Sequence, residues 1–175
     1  MFSQSVPSDR RARRLRPRAF TLIEAALVTC IIGVGVLAML QLLAAGTLSN
    51  ASGAELTTGI NLAKNVREMM FGLRFADPTT PTHWGAETGE NLASYDDLDD
   101  FDGLAFSPPI DARRRTLDDY ANWQQSITVQ TLDLDRLTTV VPDGSMPSAR
   151  ATVTITHNGK YICNLSWLAF DTATD

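Results

Sequence analysis

Five aspartates fall within seven residues of this chain, in Tyr95-Asp96-Asp97-Leu98-Asp99-Asp100-Phe101-Asp102-Gly103. Carboxylates at that density are the raw material of a hard-cation site, because Ca2+ is held by about six to eight oxygen ligands. Asp100-Phe101-Asp102-Gly103 matches part of D-x-D-x-D-G, the opening of an EF-hand loop. The match goes no further: Leu98 stands at the first position and Pro109 where the bidentate glutamate belongs, so that loop cannot be built. An irregular calcium site would draw on Asp97, Asp99, Asp100 and Asp102. The plainer reading, a solvated acidic turn with no metal, is the expectation, since aspartates bond nearby backbone amides and favour turns. Arg113-Arg114-Arg115 follows, either pairing with the aspartates or forming its own solvated patch.

A second carboxylate stands apart. Glu24 lies in Arg18-Ala19-Phe20-Thr21-Leu22-Ile23-Glu24, after a cluster of arginines and before a stretch, Ala25 to Ala54, without a charged residue. A carboxylate at a membrane boundary costs several kcal/mol unless it has a partner. Thr21-Leu22-Ile23-Glu24 fits the S/T-x-x-E capping box, which satisfies free amides at a helix start and puts negative charge at the positive end of the macrodipole. That local role leaves the arginines, the small residue Ala19 and the apolar run unexplained. Chemistry of the catalytic kind is thin: His83 and His157 are the two histidines, no serine occupies a G-x-S-x-G elbow, and no His or Cys pair has metal-ligand spacing. The chain is not expected to be an enzyme or to carry a cofactor.

The elements that must position these groups follow from periodicity. Ala25 to Ala45 is interrupted only by Thr29 and Gln41 among its apolar and small residues, and about 20 such residues cross a bilayer. The apolar core of a cleavable secretory signal is shorter, about 7 to 15 residues. Leu56, Ile60, Ala63, Val66, Met70 and Leu73 then recur at helical spacing, so one helix is predicted over residues 20–75 with a transmembrane segment at about 22–48. At 1.5 Å per residue it would be roughly 80 Å long. Asp77-Pro78 and Pro81 are the expected stop. Residues 76–122 read as an irregular acidic surface loop. Over 123–170 the period changes to two, in Ile127 and Val129, then Val153 and Ile155, and Asn158-Gly159 marks a hairpin into Tyr161–Trp167. The fold class is α+β, with a long N-terminal helix packed on a small C-terminal antiparallel sheet.

Charge is divided along the chain. Residues 1–19 hold six arginines against one aspartate, leaving nine basic and nineteen acidic side chains beyond them. An acidic body argues against a nucleic-acid partner. Arginines beside a membrane span stay on the cytoplasmic side, which would send the later residues outward. Cys30 lies within the apolar run and Cys163 near the C-terminus, so they are expected not to pair and Cys163 to act as a small buried apolar group.

Arg18-Ala19-Phe20-Thr21-Leu22-Ile23-Glu24 resembles the leader junction of type IV prepilins and type II secretion pseudopilins, a basic leader, a small residue and then Phe-Thr-Leu-Ile-Glu. The resemblance implies a pilin-like fold, removal of leader 1–19 by a prepilin peptidase cutting between Ala19 and Phe20, and N-methylation of Phe20. It further implies that Glu24 pairs with the Phe20 amine of a neighbouring subunit and sets register during assembly. The implied partners are the peptidase, other pilin or pseudopilin subunits and inner-membrane lipid. The subunit would be a single-pass inner-membrane protein with its 76–175 domain outside the cytoplasm, then part of a surface filament or periplasmic pseudopilus. Ala19 replaces the usual glycine, and the C-terminal disulfide loop of many major pilins is missing, which favours a minor pilin or pseudopilin. Tyr95–Gly103 and Asn164-Leu165-Ser166-Trp167-Leu168 are similar to minor pilins of the mannose-sensitive haemagglutinin (MSHA) type. Two rivals stand beside this reading: an anchored exported binding or adhesive domain that is never assembled, and an anchored enzyme or calcium-dependent module centred on Asp99.

Overall fold

A computed structural model describes residues 21–77 and 83–171. The chain divides into two units, Met1–Leu48 and Ser49–Asp175. One helix, α1 (Leu22–Met70), contributes to both.

In the first unit, the side chains of α1 are exposed along its length, Leu22 and Ile23 among them. An 18-residue window has a mean hydropathy of 2.4 and no buried residue, so the helix is long and apolar enough to cross a membrane. Its one hydroxyl in the middle, Thr29, donates to the carbonyl oxygen of Ala25 at 2.9 Å. That bond lets a polar group sit in an apolar helix without an outside partner.

In the second unit, α1 buries Gly59, Leu62, Ala63, Val66, Met69 and Met70. The expected stripe shares Ala63, Val66 and Met70 with this face, but Leu56 and Ile60 are left exposed. Gly59 is the reason. A Cβ built there would lie 3.0 Å from both Cys163 Sγ and Ile162 Cγ2, so the helix backbone itself is the contact surface at that turn. A stripe read from large apolar side chains misses a face that begins on a glycine. The helix ends at Met70, short of residue 75, because Gly72 takes φ +89°. Glycine adopts that left-handed conformation without the strain a Cβ imposes. Asp77 lies beyond the stop, and Pro78 and Pro81 lie outside the described residues.

The helix packs on a four-stranded antiparallel sheet of order β1 (Ala105–Phe106), β2 (Trp123–Thr131), β3 (Ser148–His157) and β4 (Lys160–Phe170). Alternation sorts the strand faces: Trp123, Gln125, Ile127 and Val129 of β2 and Ala149, Ala151, Val153 and Ile155 of β3 are buried, while Thr152, Thr154 and Thr156 lie on the other face. The small Ala149 and Ala151 stand opposite Ala169 and Trp167, so a large side chain on β4 meets a small one on β3. Asn158 and Gly159 carry φ of 51° and 74° and close the β3–β4 hairpin, the positive-φ pair that a two-residue type I′ turn requires.

His157, at the end of β3, belongs to this framework. Its ring stacks on Trp123 with centroids 4.3 Å apart, and Nδ1 lies 3.1 Å from Glu55 Oε1 on α1. Cys30 and Cys163 are both free thiols. Cys163 is half-buried against Gly59, and burial raises its pKa.

Candidate functional site

β1 has only two residues, so most of the adjoining edge of β2 needs other partners. The chain just before β1 supplies them: Ile127 N donates to Leu104 O at 2.8 Å, and Val129 N donates to Asp102 Oδ1 at 2.7 Å. The other oxygen of Asp102 accepts from Trp84 Nε1 at 3.4 Å. Asp102 therefore acts as a substitute for a missing strand residue, satisfying the Val129 amide that would otherwise be stranded. Phe101, fully buried, meets Tyr95 edge-on with centroids 5.4 Å apart and anchors the loop from below.

Those anchors pull the acidic run inward. Asp99–Phe101 form one turn of 3-10 helix, and Asp97, Asp99 and Asp100 are each only 2 % exposed. A solvated turn is thus corrected: Leu98 and Phe101 enter the core, and the carboxylates between them follow. Leu98 N also donates to Arg74 O at 2.9 Å, which joins the run to the chain just after α1.

Three of the six oxygens of Asp97, Asp99 and Asp100 accept from backbone amides. Asp100 Oδ2 accepts from the amides of Asp96 and Asp97 at 3.0 and 3.3 Å, Asp97 Oδ1 accepts from the amide of Asp100 at 3.3 Å, and Asp99 Oδ2 accepts from Gly85 N at 3.0 Å. Asp99 Oδ1 and Asp100 Oδ1 are buried with no hydrogen-bond partner. A buried acceptor left this way forfeits about 1–3 kcal/mol, more when it is charged. Burial first, then a side-chain hydrogen bond with Asp99 and the charges of Asp99 and Asp100, push Asp97 up to about 8. Asp99 is also raised by burial.

Two glutamates that composition did not single out complete the cluster. In Glu87-Thr88-Gly89-Glu90 the turn is closed by Glu90 N donating to Glu87 O at 3.1 Å and Glu87 N donating to Glu90 Oε2 at 3.2 Å, with Gly89 at φ +101°. Ligand-capable oxygens of Glu87, Asp97 and Asp100 lie within 4.8 Å of one another, and so do those of Glu90, Asp96 and Asp100. A Glu-Thr-Gly-Glu turn and an aspartate run are the available signal, but the two parts are separated in the sequence. Asp102, by contrast, is committed to Val129 and Trp84 and belongs to neither group.

The arginine run reaches this loop through backbone carbonyl oxygens. Arg114 Nη1 and Nη2 donate to the carbonyl oxygens of Leu92 and Tyr95, both at 2.6 Å, and the guanidinium lies 5.5 Å from the Phe101 ring centroid. Arg115 Nε and Nη2 both donate to Asp111 Oδ2, at 2.9 and 2.7 Å.

At the other candidate site, Glu24 N donates to Thr21 Oγ1 at 3.3 Å, which is the Thr21 half of a capping box. The Glu24 side chain is exposed on the first turn of α1. Ala19 and Phe20, the expected cleavage junction and methylation site, lie outside the described residues. Comparison with protein-family models, with curated proteins and with solved structures gives no match.

Proposed function

We propose that the chain is a pilin-like structural subunit, a minor pilin or pseudopilin, that is stored in a membrane through the first part of α1 and assembled through the same helix. The observation that carries this reading is the union of a type IV prepilin-like junction, Ala19-Phe20-Thr21-Leu22-Ile23-Glu24, with a 49-residue helix whose apolar start has no buried residue. A helix that served only to anchor would need about 20 residues and no special carboxylate. Here Glu24 stands at the head of the apolar stretch, where exchange of lipid for neighbouring helices leaves it in need of a cation.

In this reading the peptidase exposes the Phe20 amine, and Glu24 of one subunit pairs with that amine on the next. The pair specifies alignment more than stability, a role buried ionic groups fill in other helical assemblies. Association draws on van der Waals fit, because lipid tails are as apolar as the helix. Gly33, Gly35 and Gly46 have open space around them, leaving room for a second helix to approach. The arginines before residue 19 keep the start of the chain cytoplasmic, so the domain after the span lies outside.

The test is the mature N-terminus. Mass spectrometry of the protein from its native membrane should find an N-methylated Phe20 and no leader. An intact leader would mean a permanent tether carrying an exported binding domain, and the assembly reading would fall.

A further inference from the structure

We propose that the cluster of Glu87, Asp97 and Asp100 is a calcium site, with Glu90 and Asp96 closing its solvent side, which locks the loop before β1 onto the domain. Asp100 uses one oxygen for two backbone amides, while the other is buried without a partner. Among the described residues Arg114 reaches the loop, and its guanidinium is spent on carbonyl oxygens. Buried carboxylate oxygens without donors are a cost that a bound cation removes.

The geometry suits one ion class. The three oxygens from Glu87, Asp97 and Asp100 lie within 4.8 Å of one another, a span that a cation bonded at about 2.3–2.6 Å can bridge. Every candidate ligand is an oxygen, which selects a hard cation over zinc or copper. The ligands come from a glutamate turn and from the aspartate run, two irregular segments, and calcium tolerates irregular coordination where magnesium demands a near-ideal octahedron. Asp100 belongs to both carboxylate groups and is the residue on which the site turns.

The consequence is structural. Asp97 bridges to Arg74 just after α1, and Asp102, two residues beyond Asp100, holds Val129 of β2. An ion at Asp97 and Asp100 would therefore tie the glutamate turn to the segment that joins helix and sheet. The ion would act in the same way on a chain that never enters a filament.

The test uses the full chain in detergent, stripped with chelator and dialysed, then titrated with CaCl2 by calorimetry at pH 7 with matched thermal melts. Saturable binding of one ion per chain is expected, with a Kd at or below about 1 mM and a rise in Tm of several degrees at 10 mM calcium. Magnesium should bind at least tenfold more weakly. Asp100→Asn keeps the shape and should abolish both signals. Glu90→Gln, at a half-exposed position, should weaken binding without unfolding the domain. Absence of heat and of any Tm shift in the folded wild-type chain would overturn the site, leaving a shared proton to neutralise the aspartates. An equal response to magnesium, or binding unchanged in both variants, would overturn it too, since either outcome means diffuse screening.

Discussion

Gln125 on β2 donates from Nε2 to the carbonyl oxygen of Leu62 on α1 at 2.9 Å, a polar bond in the middle of the helix-sheet interface. The same amide accepts from Ile110 N at 2.8 Å and donates to Ile110 O at 3.1 Å, so one fully buried side chain ties helix, strand and loop together. Gln125→Leu conserves much of the volume but strands the backbone groups of Ile110. Each stranded group costs about 1–3 kcal/mol, so a loss of roughly 2–4 kcal/mol is expected in denaturant unfolding. A loss below 0.5 kcal/mol would show that water replaces the amide.

Gly59 and Gly53 lie on the same helix in opposite surroundings. Gly53 has open space around it, and Gly53→Ala should stabilise the domain by up to about 1 kcal/mol through helix propensity. Gly59→Val must displace Cys163 Sγ and Ile162 Cγ2 and should cost about 1–3 kcal/mol through overpacking. Thermal melts of the two variants should move in opposite directions.

Asp97 sets a pH dependence for the metal-free chain. Its folded-state pKa of about 8 exceeds the ordinary carboxylate value, so the folded state holds a proton that the unfolded chain releases. Stability should therefore fall as pH rises from about 4 to about 8, the reverse of the usual salt-bridged aspartate. Denaturant midpoints in chelator at pH 5 and pH 7.5 measure this, and Asp97→Asn should flatten the slope. A wild-type chain that gains stability over that interval would contradict the assignment.

Glu24 makes its local contact through its backbone amide to Thr21, so Glu24→Ala leaves that bond in place. In the pilin-like reading the variant should be cleaved and inserted normally, but its incorporation into filaments should drop at least tenfold. Incorporation at the wild-type level would remove the register role from Glu24.

How much of this was legible in the residues depends on how local the cause was. Asn158-Gly159 specifies its turn because the positive φ values belong to those two residues. The alternation in Ile127, Val129, Val153 and Ile155 marks strands for the same reason, since period two is a property of the extended chain. The face of α1 was less legible. Val66 and Met70 are where large apolar side chains place them, but the contact at Gly59 depends on Ile162 and Cys163, about a hundred residues further on. The acidic run was misread as surface because composition weighs aspartates as solvated, whereas Leu98 and Phe101 carry them into the core.

The sequence alone determined an apolar helix long enough to span a membrane, its carboxylate at the threshold, the antiparallel sheet behind it and the α+β class, all consequences of period, composition and local turn chemistry. Tertiary structure decided which helix face is buried, that Asp102 stands in for strand residues beside Val129, and that Glu87 and Glu90 meet Asp97 and Asp100. Those outcomes rest on segments far apart in the chain, brought together because β1 is too short to satisfy its neighbour and the preceding loop accepts from the β2 amides in its place.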